Sequence, residues 1–358
     1  MSRTDAPDRS AAADHLDVRR EGRAGRITLR REKALNALTH DMVRTLDATL
    51  QRWEGDDAIA LVVLDGAGDR AFCAGGDVTS LYRLIAAGDL QEARRFFRDE
   101  YRLNARIADY PKPVVALMDR ITMGGGIGLA GHASHRVVTE RSQLALPECA
   151  IGLVPDVGAT HLLAHAPGHV GEYLGVSGQR LDADAAVYAG FADHVVASDS
   201  LSALSDELIG SGDGDCVATF ASAAEPSTLA GRRAQIDACF GAASLSEAVA
   251  GLRDGEADTG TWSADTLRQI DAASPLSGRA AFQLIRQARG APGVDAALTR
   301  EFRVVSRLVE SGDFVEGIRA ALIDRDRRPV WKHASIDEVP GEVLQRLSEA
   351  APGGDLQL

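Results

Sequence analysis

The chain has 358 residues, of which 45% are hydrophobic, enough to bury the core of one large domain or two of ordinary size. Its net charge of −13 argues against nucleic-acid binding, because a polyphosphate needs a basic surface. No apolar run approaches the ~20 residues of a membrane helix, and the first residues lack the apolar segment of a secretory signal. Four scattered cysteines fit a reducing compartment. We therefore expect a cytoplasmic globular protein that binds neither nucleic acid nor a membrane.

Strand and helix patterns alternate along the first half of the chain. Residues 1–16 are polar and predict a disordered tail, and residues 16–31 alternate around two glycines, which predicts a β-hairpin. Apolar runs then predict strands at 59–64, 114–118, 136–139 and 144–146, and helical spacing predicts helices at 37–53, 78–108 (one helix or two), 157–165, 169–176 and 183–189. Strand, glycine turn and helix in repetition predict an α/β core at 17–197.

The pattern changes after about residue 197 to almost continuous helical periodicity. Breaks rich in Gly and Asp at 210–215 and 254–260 separate these segments. Helices are predicted at 201–209, 245–252, 264–273, 278–288 and 293–308. We expect a helical C-terminal region at 198–358 behind the α/β core.

Two glycine-rich turns carry the strongest chemical signal. The segment 71–77 (AFCAGGD) contains Gly75 and Gly76, and the segment 121–128 (ITMGGGIG) contains three successive glycines. Without a Cβ the backbone can approach a ligand closely, and a helix that begins there directs free N–H groups at it. The alternative for either cluster alone is tight strand-to-helix packing. Neither segment matches the dinucleotide or phosphate-loop pattern.

Three carboxylates are candidates for chemistry beside these turns. Glu148 and Asp156 each follow a proline in apolar surroundings, where an acid is costly unless it is paired or solvated. Asp156 could instead cap a helix that begins at residue 157, whereas Glu is a poor N-cap. Glu100, within RDEYR, is most simply a solvated helix residue. A carboxylate near a carbonyl that glycine N–H groups hold suits acyl chemistry.

Other catalytic patterns are weak. Cys73 and Cys149 stand in or beside these motifs and are most simply buried thiols. His161 and His165 are four residues apart but lack the intervening acid of a zinc motif, and no Gly-x-Ser-x-Gly elbow occurs. We therefore expect neither a metal nor a redox cofactor.

The motifs together resemble the crotonase (enoyl-CoA hydratase/isomerase) superfamily. The matching features are the two glycine turns, an acid 23 residues after Gly125, and the segment 33–38 (KALNAL), which lines the CoA site in that family. Within the superfamily the chain resembles the branch that hydrolyses 3-hydroxyisobutyryl-CoA, through EY at 100–101, PE at 147–148, AIGL at 150–153, PDVG at 155–158 and DFVEGIRAALID at 313–324. The resemblance covers roughly 17–335 and implies a spiral of ββα units with a helical C-terminal region.

The resemblance implies a role for each matched position. The N–H groups of Gly76 and Gly125 would form an oxyanion hole for the carbonyl of a CoA thioester. Glu148 would be the catalytic carboxylate, either a nucleophile through an anhydride or a base for water. Asp156 would bind or orient the 3-hydroxyacyl group or the water. Further substrate-binding positions would be Glu100, Lys33, Ala34 and Asp77. CoA would be part of the substrate, so no cofactor is implied.

The residue at position 128 separates the activities within the superfamily. Hydratases carry a second glutamate there, and this chain has Gly128. The resemblance therefore favours hydrolysis of a short-chain 3-hydroxyacyl-CoA, with 3-hydroxyisobutyryl-CoA of valine breakdown as the expected substrate. An enoyl-CoA hydratase or isomerase and a non-catalytic acyl-CoA-binding protein remain as alternatives. The family often forms trimers, but the C-terminal helices could instead fold over their own core, so a homo-oligomer stays an open expectation.

Overall fold

The computed structural model describes residues 14–223, 225–255 and 261–358. Of the predicted tail, residues 1–13 lie outside this range, and Leu16 already begins the first strand. Among the described residues, no helix combines the length and the apolar character that crossing a membrane requires.

In the described part of the chain, ten strands form two sheets. The strands are β1 Leu16–Glu21, β2 Ala24–Leu29, β3 Leu61–Gly66, β4 Ala71–Cys73, β5 Val114–Met118, β6 Ile121–Met123, β7 His135–Val138, β8 Gln143–Ala145, β9 His194–Val196 and β10 Ala221–Ser222. The larger sheet has the order β1-β2-β3-β5-β7-β9-β10, and the smaller sheet has the order β4-β6-β8. The predicted hairpin is confirmed, because β1 pairs antiparallel with β2. Strands β2 to β9 of the large sheet, and all strands of the small one, are parallel.

After the first hairpin and the helix that follows it, each repeat from β3 to β8 takes one strand from each sheet and then a helix. The helices of the first part are α1 His40–Glu54, α2 Val78–Ala86, α3 Leu90–Ala108, α4 Gly125–Ala130, α5 Ala159–His165, α6 Val170–Ser177 and α7 Ala183–Tyr188. Thus β3 and β4 lead into α2, and β5 and β6 lead into α4. This spiral of ββα units confirms the predicted fold class.

Helix boundaries follow local capping. The Thr39 hydroxyl accepts a hydrogen bond from the Met42 amide at 3.2 Å, so α1 begins three residues later than predicted. The span predicted at 78–108 divides into two helices, because the side chains of Asp77 and Asp89 each cap a new one. The predicted α5 begins at Ala159 rather than at residue 157.

The C-terminal part is mostly helical and packs on the same core. Its helices are α8 Leu201–Ser211, α9 Val217–Phe220, α10 Thr228–Gly231, α11 Arg233–Phe240, α12 Leu245–Asp254, α13 Thr261–Ala272, α14 Pro275–Ala288, α15 Gly293–Ser311, α16 Asp313–Ile318 and α17 Gly341–Leu347. The ring of Tyr101 on α3 lies 6.1 Å from that of Phe302 on α15, measured between centroids. Strand β10 was not predicted, and it extends the large sheet from within the helical region. The two parts therefore share both hydrophobic clusters of buried residues.

Candidate functional site

The three strands of the small sheet end at the three motifs that the sequence singled out. Gly75 and Gly76 follow β4, Gly124 and Gly125 follow β6, and Glu148 follows β8. Because these strands are parallel neighbours, their carboxyl ends lie at one edge of the sheet. The two glycine turns and Glu148 therefore lie together at this edge. The sequence had predicted the two glycine segments only as separate turns.

Two backbone amides converge at this edge. Gly125 is the first residue of α4, so its N–H has no acceptor within the helix. Neither this N–H nor that of Gly76 donates a hydrogen bond to any described residue. A β-carbon added to Gly125 would lie 3.2 Å from the Gly76 nitrogen, so the two turns are in close contact. Both N–H groups are free to donate to a bound acceptor.

Glu148 lies directly beside the second glycine turn. It begins a short 3-10 helix, Glu148–Ile151, and only 5% of the residue is exposed. A β-carbon on Gly124 would lie 2.7 Å from its Oε1, and its Oε2 has no hydrogen-bond partner. Gly124 also has φ +48°, which an L side chain rarely adopts. Burial, followed by the charge of Asp156, raises the pKa of Glu148 well above its ordinary value.

Glu100 is buried, so its interpretation as a solvated helix residue is wrong. It is 2% exposed on the inner face of α3. Its Oε1 has no partner and would lie 2.5 Å from a β-carbon on Gly125. Burial, and then Asp156, raises its pKa well above the ordinary value. Helical spacing could have found it, because Phe97 and Leu103, three residues to either side, are also buried.

Asp156 also lies in the interior, and its interpretation as a helix N-cap is wrong. Helix α5 begins at Ala159, and its N-cap residue is Gly158 rather than Asp156. The Asp156 carboxylate instead accepts a hydrogen bond of 2.6 Å from the Tyr101 hydroxyl. Burial raises the pKa of Asp156 to about 7, although the Tyr101 hydrogen bond opposes the rise.

Two buried side chains near the site were not found in the sequence. Tyr101 is 0% exposed and holds Asp156. Glu301 on α15 is 0% exposed and accepts hydrogen bonds from the backbone of Gly158 and Thr160, at the turn that follows Asp156. The helical spacing of apolar residues around Glu301 shows that it lies on the buried face of α15. Only the fold shows which turn it contacts.

The segment that was predicted to line the CoA site lies beside the first glycine turn. Leu38 donates a 2.8 Å hydrogen bond to the Gly75 carbonyl. Lys33 is exposed, and Ala34 is half-buried in the same short turn. Asp77 has a structural function, because its carboxylate caps α2 and pairs with the guanidinium of Arg31 at 2.7 Å. The binding roles of Lys33, Ala34 and Asp77 stay predictions.

The two cysteines near the motifs behave as core residues. Cys73 and Cys149 are buried, and burial raises the pKa of the Cys73 thiol to about 12 and that of Cys149 above its ordinary value. Neither thiol is therefore a thiolate near neutral pH. No three His, Cys, Asp or Glu side chains of residues 14–223, 225–255 and 261–358 group as metal ligands.

Comparison with known proteins gives the family. The enoyl-CoA hydratase/isomerase family matches residues 24–347. The chain belongs to this family. A relative from Gallus gallus, "3-hydroxyisobutyryl-CoA hydrolase, mitochondrial", is 36% identical over 97% of this chain and 92% of its own length.

Two solved structures of similar proteins carry other names. An enoyl-CoA hydratase from Rhodobacter sphaeroides is 44% identical, with a TM-score of 0.91 over 96% of this chain and 100% of its own. A carnitinyl-CoA dehydratase from Mycobacterium thermoresistibile is 38% identical, with a TM-score of 0.90 over 95% of this chain and 98% of its own. The activities named for these similar proteins thus include hydrolysis of a CoA ester and addition or removal of water.

The space around Gly128 bears on whether a family member hydrolyses a thioester or adds water to a double bond. A β-carbon there would lie 2.7 Å from the Val157 β-carbon and 2.8 Å from the Asn104 amide nitrogen. The position therefore has no room for the second glutamate of the hydratases without a shift of its neighbours. Glu100, however, brings a second carboxyl to the glycine turn from α3. The number of nearby acids alone does not separate the two activities.

Proposed function

We propose that the protein hydrolyses the CoA thioester of a short 3-hydroxy acid, with 3-hydroxyisobutyryl-CoA as substrate and 3-hydroxyisobutyrate and CoA as products. The proposal depends above all on one observation, the two unbonded amides of Gly76 and Gly125 beside Glu148, whose Oε2 has no partner. The name of the Gallus gallus relative supports this substrate and its place in valine breakdown.

The two amides form the oxyanion hole. As the thioester carbonyl carbon becomes tetrahedral, its oxygen gains negative charge, and the N–H groups of Gly76 and Gly125 donate to it. Two such donors, already in position, lower the barrier by several kcal/mol. Burial of the site strengthens both hydrogen bonds, because the local dielectric constant is low.

Glu148 supplies the attack in one of two ways. As a nucleophile, its carboxylate forms an anhydride with the acyl carbon, the C–S bond breaks and CoA leaves as the thiolate; water then hydrolyses the anhydride and restores the carboxylate. As a general base, it takes a proton from a water molecule that attacks the same carbon; the C–S bond then breaks, and Glu148 gives the proton to the departing CoA sulfur. A single turnover in ¹⁸O-labelled water that places the label in Glu148 would demonstrate the anhydride route, with water attacking the Glu148 carboxyl carbon.

Asp156 binds the 3-hydroxyl group or the attacking water. The Tyr101 hydrogen bond fixes one oxygen of its carboxyl. Its raised pKa lets it accept or donate a hydrogen bond near neutral pH. Glu100 lines the acyl pocket beside Gly125, and Lys33 and Ala34 contact the CoA moiety. Asp77 supports the first glycine turn and its contact with substrate.

Thiol release tests the proposal directly. We expect purified protein to release free CoA from 3-hydroxyisobutyryl-CoA and to prefer short hydroxylated esters over plain ones in a panel, as measured with a thiol reagent. Substitution of Glu148 with Gln should abolish most of this release. Absence of release from every ester in the panel would refute hydrolysis.

The second candidate is enoyl-CoA hydration, which the names of the two solved structures and the carboxyl of Glu100 favour. It predicts loss of the conjugated absorbance of crotonyl-CoA without thiol release. A non-catalytic binding protein, the third possibility, predicts tight CoA-ester binding without turnover and no response to Glu148→Gln. The same purified sample, tested in all three assays, separates the candidates.

We also propose a cytoplasmic location and a homo-oligomeric state. The free cysteines support a reducing compartment, and the trimers common in the family support an oligomer. Cell fractionation with an antibody to the protein tests the first proposal. Light scattering of the purified protein tests the second, and a monomer mass at assay concentration would contradict it.

A further inference from the structure

The turn that carries Asp156 has an unusual backbone. Val157 has φ +56°, in the left-handed region that β-branched residues avoid, and Gly158 follows with φ +79°. Such a conformation persists only where the surrounding contacts hold it, and it is often found at functional sites. The contacts around residues 156–158 therefore determine where the Asp156 carboxyl points.

One side chain from the C-terminal region bonds both the end of this turn and the start of α5. Glu301 Oε2 accepts the Gly158 N–H at 2.7 Å, and Oε1 accepts the Thr160 N–H at 2.9 Å and the Thr160 hydroxyl. Among the described residues, two other side chains bond this turn. The Tyr101 hydroxyl donates to the Asp156 carboxylate, and His132 Nε2 lies 2.8 Å from the Val157 carbonyl oxygen. Glu301 thus takes the place of an N-cap for α5, from 143 residues away.

We propose that Glu301 is a positioning residue for the reaction, which holds the 156–158 turn in the conformation that directs Asp156 toward Tyr101 and the substrate. The inference depends on the proposed function, because it assigns no chemistry to Glu301 itself. The inference extends the site to α15, a helix that carries none of the residues predicted to react.

The chemistry of the contacts explains why a carboxylate is required. All three partners of Glu301 donate, so both of its oxygens must accept. A glutamine would direct its NH₂ group at one of these donors and lose at least one hydrogen bond. The conservative change Glu301→Gln is therefore expected to disturb the turn while it keeps the volume of the side chain.

Charge gives a second consequence of the same geometry. Asp156 is faced by Tyr101 from α3 and by Glu301 from α15, and its own charge acts on Glu100 and Glu148. The negative charge of Glu301 raises the pKa of Asp156, so its removal lowers that pKa. The charge of Arg300, which precedes Glu301 on α15, lowers the pKa of Glu301. The substitution of Glu301 leaves Arg300 in place.

The test compares Glu301→Gln with Glu172→Gln, measured by thiol release from 3-hydroxyisobutyryl-CoA between pH 5 and 9. Glu172 on α6 is also 0% exposed, but it pairs with Arg289 away from the glycine turns. For Glu301→Gln we expect kcat to fall by about tenfold or more per folded molecule, since small misplacements in a site cost this much. The acidic limb of the pH profile should move to lower pH. Glu172→Gln should change stability alone.

Either of two results with the glutamate variants would overturn the inference. One is a wild-type kcat and pH limb in Glu301→Gln; the other is an equal change in Glu172→Gln. If Glu301→Gln does not fold, Thr160→Val provides the test in its place. This variant removes only the hydroxyl donor that lowers the pKa of Glu301. It should move the acidic limb in the same direction by less, and no movement would also overturn the inference. Absence of thiol release from the wild type would instead refute the proposed function, and this inference with it.

Discussion

The core at 17–197 and the helices at 198–358 contribute to the site in different ways. The core supplies the free amides and the buried carboxyls of Glu100, Glu148 and Asp156. The helices supply none of these groups. They supply the contacts that hold the turns on which two of the carboxyls lie. Short turns at a sheet edge have few backbone partners of their own, so reactive groups placed there depend on distant support.

The turn of Glu148 shows this support as clearly as the turn of Asp156. The amide of Ser274 donates to the Cys149 carbonyl at 3.0 Å, and its hydroxyl donates to Asp313 at 2.6 Å. A β-carbon on Gly152, at the end of this turn, would lie 2.4 Å from the Asp313 carbonyl. The C-terminal backbone is thus in direct contact with the turn of Glu148.

The largest expected effect comes from the reacting group in the core. Glu148→Gln should lower kcat by on the order of 10²–10⁴-fold, because the amide neither attacks the carbonyl nor takes a proton. Thiol release under saturating substrate measures this, with circular dichroism to confirm folding. Glu54→Gln, on a side chain that is 50% exposed, is the control and should leave kcat unchanged. A variant of Glu148 with normal turnover would remove this residue from the mechanism.

A smaller loss should follow from filling the space between the amides. In Gly125→Ala the new methyl group would lie 2.5 Å from Glu100 Oε1 and 3.2 Å from the Gly76 nitrogen. We expect kcat to fall by roughly 10²–10³-fold, the cost of one lost oxyanion donor. Gly210→Ala is the matched control, since no atom lies within 4 Å of its added carbon. Equal rates in both variants would mean that the carbonyl binds elsewhere.

The support from the C-terminal region can be tested with a pair of glycines of the same conformation. Gly152 has φ +78° and Gly190 has φ +79°, but only the β-carbon of the first would meet another backbone. Gly190→Ala should cost about 1 kcal/mol in the free energy of unfolding, from backbone strain alone. Gly152→Ala should cost more and also reduce kcat, by about tenfold. Urea denaturation and thiol release measure the two effects. Unchanged activity in Gly152→Ala would mean that the contact between Gly152 and Asp313 affects stability alone.

A pH-dependent change in stability should follow from a buried acid of the core. Because burial raises the pKa of Asp156 from 3.8 to about 7, the folded state keeps this proton after the unfolded state has lost it. This contribution to stability is full below pH ~4 and is lost as the pH rises toward 7. Asp156→Asn should therefore stabilise the inactive protein at pH 8 relative to the wild type and have little effect at pH 4, as measured by thermal unfolding.

Asp193→Asn is expected to show the opposite sign. Burial tends to raise the pKa of this carboxyl, but the hydrogen bonds and charge of Arg136 lower it overall. Its ionised form therefore stabilises the folded state at neutral pH, and substitution should lower the unfolding temperature there. If Asp156→Asn also lowered the unfolding temperature at pH 8, the ionised form of Asp156 would not destabilise the folded state.

Local patterns predicted the elements that depend on local physics. The strand at Val114–Met118 and the division of the chain into an α/β part and helices follow from apolar runs and helical spacing. The three-residue strands β4 and β6 were missed, because so short a strand is defined by a neighbour far along the chain. Glu100 was misread, because the charges next to it in sequence suggest solvent, whereas its position on α3 buries it.

The sequence by itself determined which residues could act, since glycine pairs and acids after prolines specify turns and reactive groups through backbone sterics and side-chain chemistry. Only the tertiary structure decided that these turns share one sheet edge, that their acids lie out of water with raised pKa values, and that Glu301 holds the turn of Asp156. Convergence and desolvation arise from packing between distant segments, and no short stretch of sequence contains them.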